Sequence, residues 1–252
     1  MTDYDDPVAI ARVVAACTRP MLVGLDVDGV LAPIVAHADD ATLLDGMADA
    51  VSTVAALDGV HVVVVSGRSL AGLAQFDFGD DVHVIGSHGM ETLDEPMAPL
   101  TAEEQHRLTL LDGAASAAAF QAGEGAWVER KPASVVLHVR QADDAAGRVA
   151  LAEVAERVEA VDGATTKAGS GVLEAFARHA DKGTALVGLA ARLGAATTVF
   201  VGDDVTDEDA FAHLGPGDIA IKVGDADTIA PHRLADPPAV LSWLRALSSA
   251  GR

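Results

Sequence analysis

Two aspartates stand one residue apart at the end of an apolar run, in the stretch LVGLDVDGVLAPI from Leu22 to Ile34. In extended chain Asp26 and Asp28 fall on one side, because successive side chains of a strand alternate, and Gly29 then allows a sharp turn. A carboxylate buried without a partner is costly, so the placement calls for compensating charge. Three further segments share this polar style. In VVVVSGRS, Ser66 offers one hydrogen bond and Arg68 two, the donors a phosphate accepts. In VFVGDDVTDEDAF, Asp203 and Asp204 sit at a strand tip before Thr206, which reads as a helix cap with Glu208 and Asp209 as first-turn acids. Lys182 opens the helical stretch KGTALVGLAARLG, where a cation opposes the macrodipole and needs another reason to be there. Lysine is scarce, with Lys131, Lys167, Lys182 and Lys222 being all the chain has.

Taken together, carboxylates from two strand ends supply hard oxygen ligands for Mg2+, an ion that keeps several waters and bridges to phosphate. With Lys182 and Arg68, it would provide local positive field in a chain of net charge -21. The same charges would keep Asp26 ionised.

The elements that must carry these groups alternate along the chain. MLVGLDV, VHVVVVSG, DVHVIGS and TTVFVGDD read as strands buried on both faces, and ATLLDGMADAVSTVAAL and KGTALVGLAARLG as helices between them. The pattern predicts an α/β fold with a mostly parallel sheet, and such sheets bind ligands beyond the carboxyl ends of their strands. After a linker, DEPMAPL, the style changes. A helix over TAEEQHRLTLLDGAASAAAF, which covers a sheet or packs on a partner, precedes the strand pair AWVERKP and SVVLHVRQ. A helix over DAAGRVALAEVAERVEAV and strand-like ATTKAGSGVLEAFA follow. The expected organisation is a first core segment at 1–97, an α+β insertion at 98–172 and a second core segment at 173–252.

Composition narrows the function. With 252 residues, half of them hydrophobic, the chain can bury a real core. Its negative charge argues against nucleic acid or anionic membrane as a partner. A single cysteine, Cys17, rules out an internal disulfide or a cysteine zinc site. MTDYDDPVAI lacks the basic and apolar regions of a signal peptide, and there is no uncharged apolar run of roughly 18 residues to span a membrane. The expectation is a soluble cytoplasmic protein.

The ordered set DxDxV, Ser after a strand, Lys and GDDxxxD resembles the haloacid dehalogenase-like (HAD) phosphatases. Over essentially the whole chain the sequence resembles trehalose-6-phosphate phosphatases. The residues carrying this are Asp26–Ile34, Ser66-Gly67-Arg68, Gly86–Glu91, Glu129-Arg130-Lys131, His138-Val139-Arg140, Gly171–Glu174, Lys182–Leu186 and Gly202–Phe211. Two places depart: Val139 stands where the family commonly has Tyr, and Phe176-Ala177 where it often has Arg-Pro. The resemblance implies a Rossmann-like parallel-sheet core with an inserted cap that closes over the sugar, and a trehalose-6-phosphate synthase acting upstream.

It also implies roles. Asp26 would attack phosphorus and form an aspartyl phosphate, with Asp28 as general acid and then base. Mg2+ would be held by the Asp26 and Asp203 carboxylates and the main-chain carbonyl of Asp28. Ser66 and Lys182 would hold the phosphoryl oxygens, and Asp207 would support the metal waters or Lys182. Arg68, His88, Gly89, Glu91, Lys131, His138, Arg140 and Glu174 are the candidate substrate-binding residues. Rival readings are a phosphatase for another sugar phosphate (glycosyl-3-phosphoglycerate or sucrose 6-phosphate), a receiver-like phospho-aspartate switch, and a catalytically silent regulatory relative.

Overall fold

The computed structural model describes residues 4–35, 40–93, 99–178 and 181–251. The chain divides into two compact units, Met1–Met97 with Ala180–Arg252, and Ala98–His179. In chain order the larger unit begins with α1 (Pro7–Ala15), β1 (Met21–Leu25), α2 (Met47–Ala55), β2 (Val60–Val65), α3 (Leu70–Leu73), β3 (Val82–Gly86) and β4 (Glu91–Thr92). The smaller unit holds α4 (Ala102–Ala122), β5 (Trp127–Arg130), β6 (Ser134–His138), α5 (Asp144–Glu159), β7 (Thr165–Gly169) and β8 (Val172–Phe176). The larger unit resumes with α6 (Lys182–Leu193), β9 (Thr197–Gly202), α7 (Val205–His213), β10 (Ile219–Val223), β11 (His232–Leu234) and α8 (Pro237–Ala250).

The larger unit is built on one sheet, ordered β11-β10-β9-β1-β2-β3-β4. Its pairs are parallel except β3 with β4. Every residue of β1, β9 and β10 is buried, as a parallel sheet covered on both faces requires. Alternation sorts the side chains. Met21, Val23 and Leu25 pack with α1, α2 and α8, whereas Leu22 packs with α6 and α7 on the other face. Gly24 is needed on that second face, since a Cβ there would lie 2.8 Å from both Leu186 and Phe200 side-chain atoms. β1 is flanked by β2 on one side and β9 on the other. The connection order reverses across it, so the crevice at its carboxyl end is where this architecture binds ligands. The motif-bearing ends of β1, β2 and β9 meet there.

The smaller unit is an antiparallel sheet, β5-β6-β8-β7. One face is covered by α4 and α5, through Leu111, Ala115, Ala118, Ala150 and Val154 against Val135, Leu137, Leu173 and Ala175. The Ala-rich helix α4 therefore covers the sheet. It starts at a capping box in which Thr101 and Glu104 satisfy each other's backbone N–H groups. Val139 also faces this core, packed so close to α5 that a Cβ added to Gly147 would lie 3.1 Å from its side chain.

The expected boundary at 172/173 is corrected. It would cut β8 from its ladder partners β6 and β7, and the unit continues to His179. The expected linker at 94–100 lies, but for its last two residues, outside the described residues. Among the described residues no helix is long and apolar enough to cross a membrane.

Candidate active site

Asp26 follows β1 directly, its backbone N–H donating to the Val201 carbonyl at 3.0 Å. The residue is 5% exposed. Lys182, the first residue of α6, reaches it from across the crevice: Nζ lies 2.8 Å from Asp26 Oδ2 and 2.8 Å from Asp207 Oδ1. Two buried carboxylates therefore outweigh the unfavourable macrodipole, and the preceding Asp181 caps the helix through the Thr184 N–H. Asp207, fully buried in α7, uses its other oxygen to accept from the backbone N–H groups of Asp203 at 2.9 Å and Asp204 at 3.0 Å. The N-cap of α7 is Asp204 rather than Thr206, in a capping box with Asp207. Thr206 is the second residue of the helix and lines the crevice. A Cβ on Gly202 would lie 2.3 Å from Asp207, so glycine is required for that carboxylate to reach the loop.

One carboxylate oxygen each from Asp26, Asp203 and Asp207 lie within 4.8 Å of one another. Asp203 Oδ1 is buried without a hydrogen-bond partner, an expensive condition unless a cation takes it. Both oxygens of Asp207 and of Asp26 already accept within the protein, Asp26 from the Val27 N–H and from Lys182, so the Asp203 oxygen is the open ligand position. Asp26, which lines the cavity with Asp203 where Asp207 does not, is the second carboxylate fit to ligate a hard divalent ion. The electrostatics agree. Burial raises the Asp26 carboxyl well above its ordinary value; Lys182 opposes this, and Asp207 and Asp203 add to it. Asp203 is pushed from 3.8 to about 7, by burial and then by Asp207. Burial alone would lower Lys182, yet Asp26 and Asp207 hold its ammonium above the usual lysine value. The cluster is short of positive charge.

Arg68 is placed differently from the sequence expectation. Its Nε donates to Asp28 Oδ2 and its Nη2 to Asp28 Oδ1, both at 2.7 Å, while the guanidinium lies 5.4 Å from the Phe76 ring centroid. This planar fork orients the Asp28 carboxylate instead of facing a phosphate with its donors free. Ser66 is buried and accepts from the Arg68 N–H. Its loop is stitched to the next one: His88 N–H donates to Ser66 O at 2.9 Å, and Ser87 N–H to Arg68 O at 2.7 Å. Ser87 and His88 adopt φ of 50° and 56°, a conformation that non-glycine residues keep where surroundings enforce it, often at functional sites. Asp26, Asp28, Ser66, Arg68, His88, Lys182 and Asp203 together line a cavity of about 380 Å³.

Gly89 and Glu91 do not line it. A Cβ on Gly89 would lie 2.8 Å from Ala185, and Glu91 Oε2 accepts from the Leu70 N–H at the start of α3. Glu91 satisfies a helix end, the kind of backbone demand that spacing alone does not reveal.

In the smaller unit, Lys131 Nζ lies 3.1 and 3.2 Å from the two Glu174 oxygens, and Ser134 Oγ donates to Glu174 at 2.6 Å. His138 Nε2 lies 3.0 Å from Glu129 Oε2, and its ring stacks on Trp127 at 3.9 Å between centroids. Arg140 is exposed past the strand and donates from Nε to the Ser170 carbonyl. Trp127 and the buried Lys222 were not singled out from sequence as site residues. Direct cross-strand pairing with His138 identifies the first; a lone lysine inside the apolar run IAIKV is the signal for the second.

The family model for trehalose-phosphatase matches residues 24–237. A trehalose-6-phosphate phosphatase of Escherichia coli is 30% identical over 235 residues, covering 89% of this chain and 85% of that protein. An uncharacterized glycosyl hydrolase of Mycobacterium tuberculosis is 35% identical over 251 residues, covering 91% of this chain, which spans only 18% of that protein's length. The C-terminal domain of the Candida albicans trehalose-6-phosphate phosphatase superposes with a TM-score of 0.78 at 20% identity, covering 99% of this chain and 98% of that one. That likeness is one of fold.

Proposed function

The chain belongs to the trehalose-phosphatase family, and from that premise we propose that it hydrolyses trehalose 6-phosphate to trehalose and inorganic phosphate through a phosphorylated Asp26. The observation that carries this reading is the crevice at the ends of β1, β2 and β9. There a buried aspartate is held at 2.8 Å by a buried lysine, beside a second acid with an unpartnered buried oxygen. A nucleophilic carboxylate must be ionised, and burial opposes that here. Asp26 and Asp203 would hold a divalent ion, Mg2+ by the hardness of its ligands, and when bound it would supply the missing charge and polarise the phosphoryl group.

In this reading Asp26 attacks phosphorus, the bond to the sugar oxygen breaks, and Asp28 delivers a proton to that oxygen. Asp28 then takes a proton from water as it attacks the aspartyl phosphate, releasing phosphate and restoring Asp26. Arg68 sets the direction of the Asp28 carboxylate through both oxygens. Ser66 and Lys182 stand at the same cavity as donors to phosphoryl oxygens, and the left-handed His88 is held beside them. Asp207 keeps Lys182 and the Asp203 loop in register. Most of the rate gain comes from such positioning and charge neutralisation.

For the sugar, we assign the polar row of the smaller unit: Glu129, Lys131, His138, Arg140 and Glu174. Their fixed donors and acceptors suit a hydroxyl-rich ligand. The upstream reaction is then that of a trehalose-6-phosphate synthase. Phosphate release from trehalose 6-phosphate, glucose 6-phosphate and sucrose 6-phosphate, with and without chelator, tests the proposal. Preference for trehalose 6-phosphate and dependence on added Mg2+ are expected. Equal rates on all three substrates would remove the sugar assignment, and full activity after exhaustive chelation the metal.

A further inference from the structure

Lys222 is the second buried lysine of the larger unit. It lies on β10, paired in register with Gly202 of β9, and is 1% exposed. Its ammonium donates to the main-chain carbonyl of Asp203. It does not line the cavity, so it does not meet a substrate. Burying an ammonium is unfavourable unless it is well paired, and its hydrogen bond here goes to a neutral carbonyl, with the Asp203 carboxylate acting on it only through its charge. That carbonyl must therefore be held for a reason.

The reason lies in what surrounds it. Asp203 has its N–H held by Asp207 at 2.9 Å and its C=O held by Lys222. The backbone of this one residue is gripped at both polar groups by buried side chains of opposite charge. Its carboxylate then has a single direction, packed against Gly29, where a Cβ would lie 2.0 Å from Oδ2, with Oδ1 left unpartnered. That direction puts it beside Asp26.

We propose that Lys222 is a positioning residue for the divalent ion of the site: it fixes the Asp203 main chain so that the Asp203 and Asp26 carboxylates converge. This inference rests on the metal reading given above. Where Asp203 stays ionised, removing a nearby positive charge should tighten cation binding by Coulomb's law, whereas losing the hydrogen bond that sets the ligand geometry weakens it. Lys222 also favours the charged Asp203 carboxylate, so the comparison is made at about pH 9, above the range in which that carboxyl takes up a proton.

The experiment is calorimetric titration of the substrate-free full chain with MgCl2, comparing the native protein with Lys222→Met and Lys222→Gln. Folding of each is checked by circular dichroism. Native binding followed by a loss of tenfold or more in Lys222→Met is expected, as is a smaller loss in Lys222→Gln, which keeps an N–H donor. Turnover of Lys222→Met should recover when Mg2+ is raised, which a general structural defect would not allow. If Lys222→Met does not fold, Lys222→Gln decides: weaker binding supports the inference, unchanged or tighter binding overturns it. Equal or tighter binding by Lys222→Met likewise overturns it. A native protein that binds no divalent ion would instead overturn the metal reading on which it rests.

Discussion

Asp203→Asn separates two effects that the native residue combines. Its carboxyl is pushed from 3.8 to about 7 by burial and by the charge of Asp207. An acid whose pKa rises on folding stabilises the native state fully below its unfolded value, and this contribution is lost as pH rises through the folded value. For Asp203 that window runs from 3.8 to about 7. At about 1.36 kcal/mol per pH unit the span amounts to about 4 kcal/mol, and the partial contact of this half-buried group with water reduces it to ~2 kcal/mol. Asparagine has nearly the same shape and never ionises. In chelator at about pH 8, the variant should therefore be more stable than the native chain by ~2 kcal/mol, an advantage that shrinks toward about pH 4. In saturating Mg2+ the order should reverse, because only the native chain gains strongly from ligand binding. Urea unfolding followed by far-ultraviolet circular dichroism, at both pH values with and without Mg2+, measures all four quantities. If the variant is no more stable than the native chain in chelator at about pH 8, the account of a charge-starved cluster is wrong.

Asp26→Asn should leave less than about 1% of phosphate release, since the nucleophile is removed; a discontinuous phosphate assay decides this. Arg68→Ala frees the Asp28 carboxylate, so kcat should fall roughly 10–100-fold with KM changed by less than about threefold. A large rise in KM alone would mean that Arg68 binds the phosphate after all. Gly29→Ala places a Cβ 2.0 Å from Asp203 at a φ of +82°, and a cost of about 1–3 kcal/mol with loss of Mg2+ response is expected from thermal unfolding. In the smaller unit, Arg178 holds Glu104 at about 2 through a two-pronged contact at 2.8 and 2.7 Å. The lowered pKa gives stability that is present above about 4.5 and lost as pH falls through about 2. Glu104→Gln should then cost roughly 0.5–1 kcal/mol at neutral pH and nothing near the acid limit, read by urea unfolding.

The motif-bearing strand ends were legible because their pattern is local: an apolar run stops and acids begin within two residues. Asp26, Asp203 and Lys182 meet as that pattern implied. The target of Arg68 was not legible, because Asp28 lies 40 residues away and a guanidinium beside a phosphate site has two plausible anions. The contact of Glu91 was not legible for a related reason: its partner is a backbone N–H at the start of a four-residue helix, a demand no side-chain motif announces. β8 was cut because its apolar residues could belong to either sheet, and only the ladder to β6 and β7 decides. β10 is hard to read from sequence because a lysine interrupts its apolar run, and that lysine is buried against the carbonyl of Asp203, just past the end of β9.

The chain has two tryptophans, and the fold gives one to each unit in contrasting surroundings. Trp243, on α8, has no exposed surface, whereas Trp127, on β5, is half exposed and stacked on an imidazole. Their emission should resolve into a blue, quencher-resistant component and a red component that iodide extinguishes. Without any added label, the loosening of the larger and the smaller unit can thus be timed separately in a single unfolding experiment.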